Sequence, residues 1–439
     1  MRSVIRGRIV RLVNRNVPLN TAWKNKNLRL YFGGQLVSLI GTWMQQIALS
    51  WLVYRLTDSP FMLGLIAFTS QIPALFLTPL AGVVADNTNR HRLLLITQVL
   101  LMAQAAVLTV ATWSGHTPIW QLIVLSLLLG TIAAFELPTR QSFLVDMLEG
   151  KEQLASAIGV NSSINTLTSL VGPFAAGLFV AWAGERMCFL GNALSYIAVI
   201  VALLCVKAKQ RQSGSLEKSA FAQLKEGFEY TTKFAPIRDL IVFVALISAF
   251  SMPFAVLMPA FAKDVFKGNA MTLGFLTGAC SLGSLIGAFL VTSRKGTHAM
   301  TRWIVAGCAL CGAVLILFGA STFWPLSLLA VLAAGFGAAV TLAGSNTVIQ
   351  TIVDEDKRGR VMSFVVMAFK GLGPLGGIAA GALANTVGPG KTVIVSGLLT
   401  VILAIVFWSR LTRIHVTVTE KALELGVAEA EEEMNAVSA

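Results

Sequence analysis

Long apolar runs alternate with short polar clusters along the chain. The runs lie near 30–54, 60–84, 92–113, 118–141, 154–182, 187–206, 239–262, 272–293, 302–320, 323–350, 359–386 and 392–409. Crossing the hydrocarbon core takes roughly 20 apolar residues. Backbone groups in lipid must bond within their own segment, so each run is predicted to be a helix. The pattern therefore predicts an all-α membrane protein with twelve transmembrane helices. Pro253, Pro259 and Pro325 mark kinks or ends within two of them. The longest polar stretch before the tail, 207–238, divides the spans into six and six. The expected organisation is an N-terminal arm (1–29), a six-helix bundle (30–206), a central loop (207–238), a second bundle (239–410) and a polar tail (411–439). Glu429, Glu431, Glu432 and Glu433 make the tail acidic and solvated.

Composition agrees: 55% of residues are hydrophobic and 13% charged, with a mean hydropathy of +0.74. A soluble domain, a disordered chain and a secreted disulfide scaffold are excluded. The net charge of +13 would suggest nucleic acid in a soluble protein. Here its distribution says otherwise. Of 34 Lys and Arg, 28 fall on the side that carries the termini, five on the other, and Lys370 inside a span. Basic residues gather on the cytoplasmic side, so both termini are expected in the cytoplasm. The arm has eight basic residues and no acidic one before position 30, with no cleavable leader, and is expected to lie on anionic lipid. The five cysteines sit in apolar runs; Cys308 and Cys311 form a CxxC with no second pair, so neither a metal site nor a disulfide framework is expected. His91, His116, His298 and His415 are expected in loops or the tail, and no catalytic triad can be assembled from them.

The halves repeat. "GTIAAFELPTRQSFLVDML" (130–148) matches "GFGAAVTLAGSNTVIQTIV" (335–353) at an offset of 205, and "LVGPFAAG" (170–177) matches "GLGPLGGI" (371–378) at 201. Duplicated bundles place a site at the midplane between them and rock about it.

Between the second and third runs, "GVVADNTNRHR" (82–92) resembles the G-x-x-x-D-x-x-x-R-x-R loop of the major facilitator superfamily at Gly82, Asp86, Arg90 and Arg92. The resemblance implies a cytoplasmic gate. There Gly82 permits close helix approach, Asp86 accepts from helix N-terminal amides, and Arg90 and Arg92 offer interdomain pairs. The second-half loop keeps Gly287 and Lys295 but has Val291 where Asp86 stands. "FELPTRQSFLVDMLEGKEQLASAIGVNSS" (135–163), with "DKRGRVMSF" (356–364), is similar to the transmembrane secretion effector branch, which includes the enterobactin exporter; Glu136, Pro138, Arg140, Gln141 and Phe143 carry the match. The resemblance spans about 25–410. It implies a major facilitator fold and export of small organic molecules. "TSLVGPFAAG" (168–177) partly resembles an antiporter motif at Gly172, Pro173 and Gly177, with Thr168 in place of an earlier glycine. Gly172, Pro173, Gly373, Pro374 and Pro138 are the expected bend positions.

Glu136 is the one acidic residue clearly inside a run, and Arg140 lies one turn on. An intramembrane ion pair is costly, so the two are candidates for proton coupling or gating, against a structural anchor near the boundary. Lys370 either snorkels or faces the cavity to meet an anionic cargo. Gln45, Gln46, Asn161, Asn165 and Asn346 are cavity candidates that serve equally well as interhelical glue. "GPGKT" (388–392) lacks the first glycine of a phosphate loop, Asn385 standing there, so no nucleotide site is expected.

The sequence thus predicts no enzyme. It predicts a monomeric secondary transporter in a bacterial inner membrane that exports small amphipathic molecules, siderophore or drug-like, by proton antiport with alternating access. No cofactor beyond the proton gradient and no nucleic-acid partner is expected; periplasmic or outer-membrane partners stay open. Two alternatives remain, a lysophospholipid flippase and a non-transporting membrane scaffold.

Overall fold

The computed structural model describes residues 25–115, 117–148, 152–206, 229–293, 300–354 and 357–410, with the backbone alone at Pro79, Asp86 and Glu152. Among them, eleven helical stretches are long and apolar enough to cross a membrane. They are α1 (Lys26–Thr57), α2 (Pro60–Asn87), α3 (Arg90–Trp113), α4 (Ile119–Asp146), the stretch Glu152–Cys205, α7 (Ala235–Val265), α8 (Ala270–Ser293), α9 (Met300–Ala320), α10 (Trp324–Ile352), α11 (Arg358–Val387) and α12 (Pro389–Arg410). The 54-residue stretch reverses at Gly184, whose φ of 81° and ψ of 168° suit glycine alone. It is therefore two helices, α5 (152–183) and α6 (185–205), and the spans are twelve. A second such glycine, Gly388 (φ 90°, ψ 158°), turns α11 into α12 204 residues later, so the internal repeat extends to backbone geometry.

The expected arm and tail lie outside the described residues, apart from 25–29. There Asn25 caps α1, its side chain accepting from the amides of Asn27 (2.9 Å) and Leu28 (3.4 Å). The prolines act locally. Pro325 sits in the first turn of α10. Pro253 restarts α7 after Met252, and Pro259 precedes a π-turn at Phe261–Val265.

Successive helices alternate in direction, so the two described ends share one face, here the termini face. Asn25 donates there to the Met147 carbonyl (3.3 Å), and Arg410 pairs with Asp239 at the start of α7 (3.3 Å). Exposed Trp113, Trp120 and Trp182 ring the far face and Trp408 the termini face, as expected at bilayer interfaces. α1 packs along α5 and α6, and α2 along α4; α10 packs between α8 and α9, and α11 against α7. Two seams join the bundles, α2 with α11 and α5 with α8.

The apolar cores show how the bundles meet. On the termini-face half, one cluster around Tyr31, Phe32 and Phe143 holds only first-bundle residues, and another around Phe243, Ile304 and Phe407 only second-bundle residues. On the far half the clusters cross over: Ile47 and Ala176 join Phe254 and Phe318, while Ala260 and Ala270 join Tyr54 and Phe189. Small residues permit this. A Cβ on Gly64 would lie 2.6 Å from the Gly377 carbonyl, and one on Gly177 would lie 2.7 Å from Gly274 Cα. In lipid such close backbone packing, rather than water exclusion, holds helices together.

Candidate functional site

A cavity of about 640 Å³ lies in the termini-face half of the α2–α11 seam. α2 contributes Leu75, Thr78 and Gly82, α4 contributes Leu137, and α11 contributes Arg360, Met362, Phe364, Met367 and Lys370, among others. The volume suits a drug-sized molecule. Lys370, a cavity candidate from sequence, is exposed and lines it. So does Gly82, and a Cβ there would meet nothing within 4 Å. The close helix approach expected at Gly82 is absent in this arrangement, because the seam is parted at that end.

Glu136 points away from this cavity, toward α3. Its carboxylate pairs with Arg140 Nε (3.2 Å) and lies 3.5 Å from Gln98 Nε2; both charged side chains are largely buried, at 13% and 14% exposure. Pro138 lies between them inside α4. The Tyr31 hydroxyl and Gln98 Oε1 are buried without a hydrogen-bond partner among the described residues. Four polar groups from α1, α3 and α4 thus meet inside the first bundle, with acceptors and donors to spare.

The gate loop is tied into the first bundle. Arg90 pairs within its own bundle: its Nη1 meets both Asp146 oxygens (3.0 and 3.2 Å) and its Nε donates to the Ala85 carbonyl (3.3 Å). α3 is capped by Asn89, which accepts from the Arg92 amide (3.0 Å); the Asp86 side chain lies outside the described atoms. His91 is not in a loop but in the first turn of α3. Its ring stacks on Phe143 (5.5 Å), and Nε2 lies 2.8 Å from the Leu203 carbonyl. His116, His298 and His415 fall outside the described residues. The Arg92 side chain is exposed.

The polar cavity candidates scatter. Gln45 is buried inside the first bundle, donating to Gln104 Oε1 (3.0 Å) and accepting from Asn192 Nδ2 (2.7 Å), and so acts as interhelical glue. Asn165 donates to the Asn161 carbonyl one turn back (2.8 Å). Gln46 is exposed on α1 and Asn346 half-buried on α10. None of the five lines the 640 Å³ cavity. Of the bend positions, Pro138, Pro173 and Pro374 all lie inside helices. Gly172 backs onto Trp43, and Gly373 onto Ser248. Cys308 and Cys311 are buried.

Sequence reasoning missed a cluster that bridges the bundles at the far face. Tyr54 donates to the Asp264 carboxylate, and Lys263 bonds Asp58 while standing over the Tyr54 ring (5.7 Å). Ser59 also donates to Asn385 Oδ1 (3.1 Å). The π-turn after Pro259 carries both Lys263 and Asp264. The signal available was a Lys-Asp pair directly after a proline-interrupted run. At the termini face Tyr230 donates to Asp354 (3.2 Å) beneath Lys357. Burial foremost holds the Tyr230 phenol above its ordinary pKa.

The transmembrane secretion effector family model matches residues 21–434, well past the 25–410 expected from the motifs. The staphyloferrin A transporter of Staphylococcus aureus is 26% identical over 391 residues, covering 87% of this chain and 95% of that protein. Macrolide efflux protein A of Streptococcus pyogenes is 23% identical over 390 residues, covering 88% and 96%. Among solved structures, the nucleoside transporter NupG superposes with a TM-score of 0.71 at 16% identity, over 87% of this chain and 99% of that one, which speaks for the fold.

Proposed function

The chain belongs to the transmembrane secretion effector family of the major facilitator superfamily, and from that membership we propose that it exports small amphipathic organic molecules by proton antiport. It is a multi-pass membrane transporter and not an enzyme. The observation that carries a bundle interface able to open toward the termini is the asymmetry of the cores: far-half clusters cross the bundle boundary, termini-half clusters do not. With 28 basic residues on the termini side, that side reads as cytoplasmic in a bacterial inner membrane. Cargo would then enter from the cytoplasm and leave when the seams exchange, the rocking that a duplicated bundle permits. The relatives named for a siderophore and for macrolides favour export of organic cargo.

Coupling is assigned to Glu136. Its carboxylate is paired with Arg140, and a proton taken up there would free Arg140 and the neighbouring amide and phenol to rearrange. The test is proton flux in proteoliposomes during transport of an anionic amphipathic dye such as 8-anilinonaphthalene-1-sulfonate. The expected result is cargo-dependent flux in the native chain and its loss in Glu136→Gln. Unchanged flux in that variant would take the coupling role from Glu136.

A further inference from the structure

We propose that the α2–α11 cavity is a subsite for an amphipathic anion, with the Lys370 ammonium receiving the acidic head and the apolar lining receiving the body. This rests on the exporter reading above and names the class of cargo. Lys370 is the thirteenth residue of the 30-residue α11. That puts it about 18 Å along the helix from its start, deep within a membrane span. A cation at that depth persists only where water or a partner meets it.

Several other bases on the described helices are matched by acids: Arg55 with Glu185, Arg90 with Asp146, Arg140 with Glu136, Lys263 with Asp58, Lys357 with Asp354 and Arg410 with Asp239. Lys370 has no ion pair among the described residues. It opens instead onto a cavity whose described lining carries no acid. An ammonium facing a low-dielectric pocket with no acid in its described lining attracts an anion and repels a cation. Leu75, Leu137, Met362, Phe364 and Met367 supply the rest of the surface. Methionine adapts to varied shapes, so the body is loosely specified while the head is fixed. A carboxylate meeting an ammonium makes a charge-assisted bond that an uncharged amide cannot reproduce. The first-bundle counterpart of Lys370 is Ser169, whose hydroxyl is spent on the Thr166 carbonyl (2.8 Å). The anion preference is therefore built by one half of the repeat.

The test uses the full chain in neutral phosphatidylcholine nanodiscs without a gradient, with 11-(dansylamino)undecanoate and its uncharged primary amide as probes. The native protein is expected to bind the carboxylate about ten-fold tighter or more. Lys370→Gln is expected to erase that preference while leaving amide affinity in place, and Lys370→Arg to keep it. Equal binding of the two probes by the native chain, or a preference surviving in Lys370→Gln, overturns the proposal. Displacement of the bound carboxylate by lysophosphatidylglycerol supports it with a lipid source; displacement by 1-naphthoate alone supports it with a soluble one; displacement by neither overturns it. A preference in nanodiscs with no probe movement in energised vesicles keeps the subsite and removes the exporter reading. Movement without preference does the reverse.

Discussion

At the residue scale, buried polar groups in this chain come in partnered sets. Arg90 and Asp146 are 13% and 5% exposed and joined by two hydrogen bonds. Removing one partner strands a buried charge, which costs about 3 kcal/mol or more. Arg90→Ala is therefore expected to lower the melting temperature of the purified protein, and Arg90→Lys to recover part of the loss; a dye-based melt reads both. The Gln45–Gln104–Asn192 chain predicts likewise. Gln45→Leu leaves the Gln104 and Asn192 amides short of partners at about 1–3 kcal/mol, seen in the same melt, with transport per folded molecule unchanged. These sets show what a sequence reveals about single residues. The i,i+4 spacing of Glu136 and Arg140 made their pair legible, because one helix fixes it. Gln45 was legible only as a polar residue in a span. Its partners lie 59 and 147 positions away, and nothing local says which face of α1 it occupies. The Arg90 pair was illegible for the same reason: its partner Asp146 lies 56 residues further on, at the end of α4.

At the element scale, the repeat is the organising fact, and it was legible because glycine and proline keep their places. Gly130 backs onto the Ser70 carbonyl of α2, and Gly335 onto the Cys280 carbonyl of α8, the same contact in each bundle. Gly184 and Gly388 make the same turn. Alanine at Gly184 would hold a conformation that costs about 1–3 kcal/mol for any side chain. Gly184→Ala is expected to lower thermal stability, whereas Gly33→Ala, with open space around it, should not. What the runs did not reveal is the π-turn of α7. Its cause is local, a helix reforming after Pro259, yet its effect is distant, since it delivers Lys263 and Asp264 to residues of α1 about 200 positions away. An apolar run ending in Lys-Asp reads as an ordinary helix end until the opposite bundle is in view.

At the scale of the whole molecule, the seams and the far-face cluster describe an arrangement closed at the far half and parted at the termini half. Closure at the far half uses glycine contacts at Gly64–Gly377 and Gly177–Gly274 plus the Tyr54–Asp58–Lys263–Asp264 cluster. The termini half is parted at Gly82, where a helix could approach with no Cβ in its way. If the bundles rock, weakening the far cluster must favour the arrangement in which Gly82 is covered. A cavity cysteine reports this. In a chain whose five native cysteines are replaced, Met362→Cys is expected to react with a membrane-impermeant maleimide in inside-out vesicles and to be spared in right-side-out ones. Adding Lys263→Gln and Asp264→Asn should slow the inside-out reaction several-fold, because each population shift of about 1.4 kcal/mol changes the ratio ten-fold. Ser114→Cys, exposed beyond α3 on the far face, serves as the orientation control and should react only from outside. Reversed sidedness for both cysteines would place the termini outside and turn the transport direction around. An unchanged rate in the double variant would mean that the glycine seams alone keep the far half shut, and that the charged cluster is an adornment of the closed state rather than its latch.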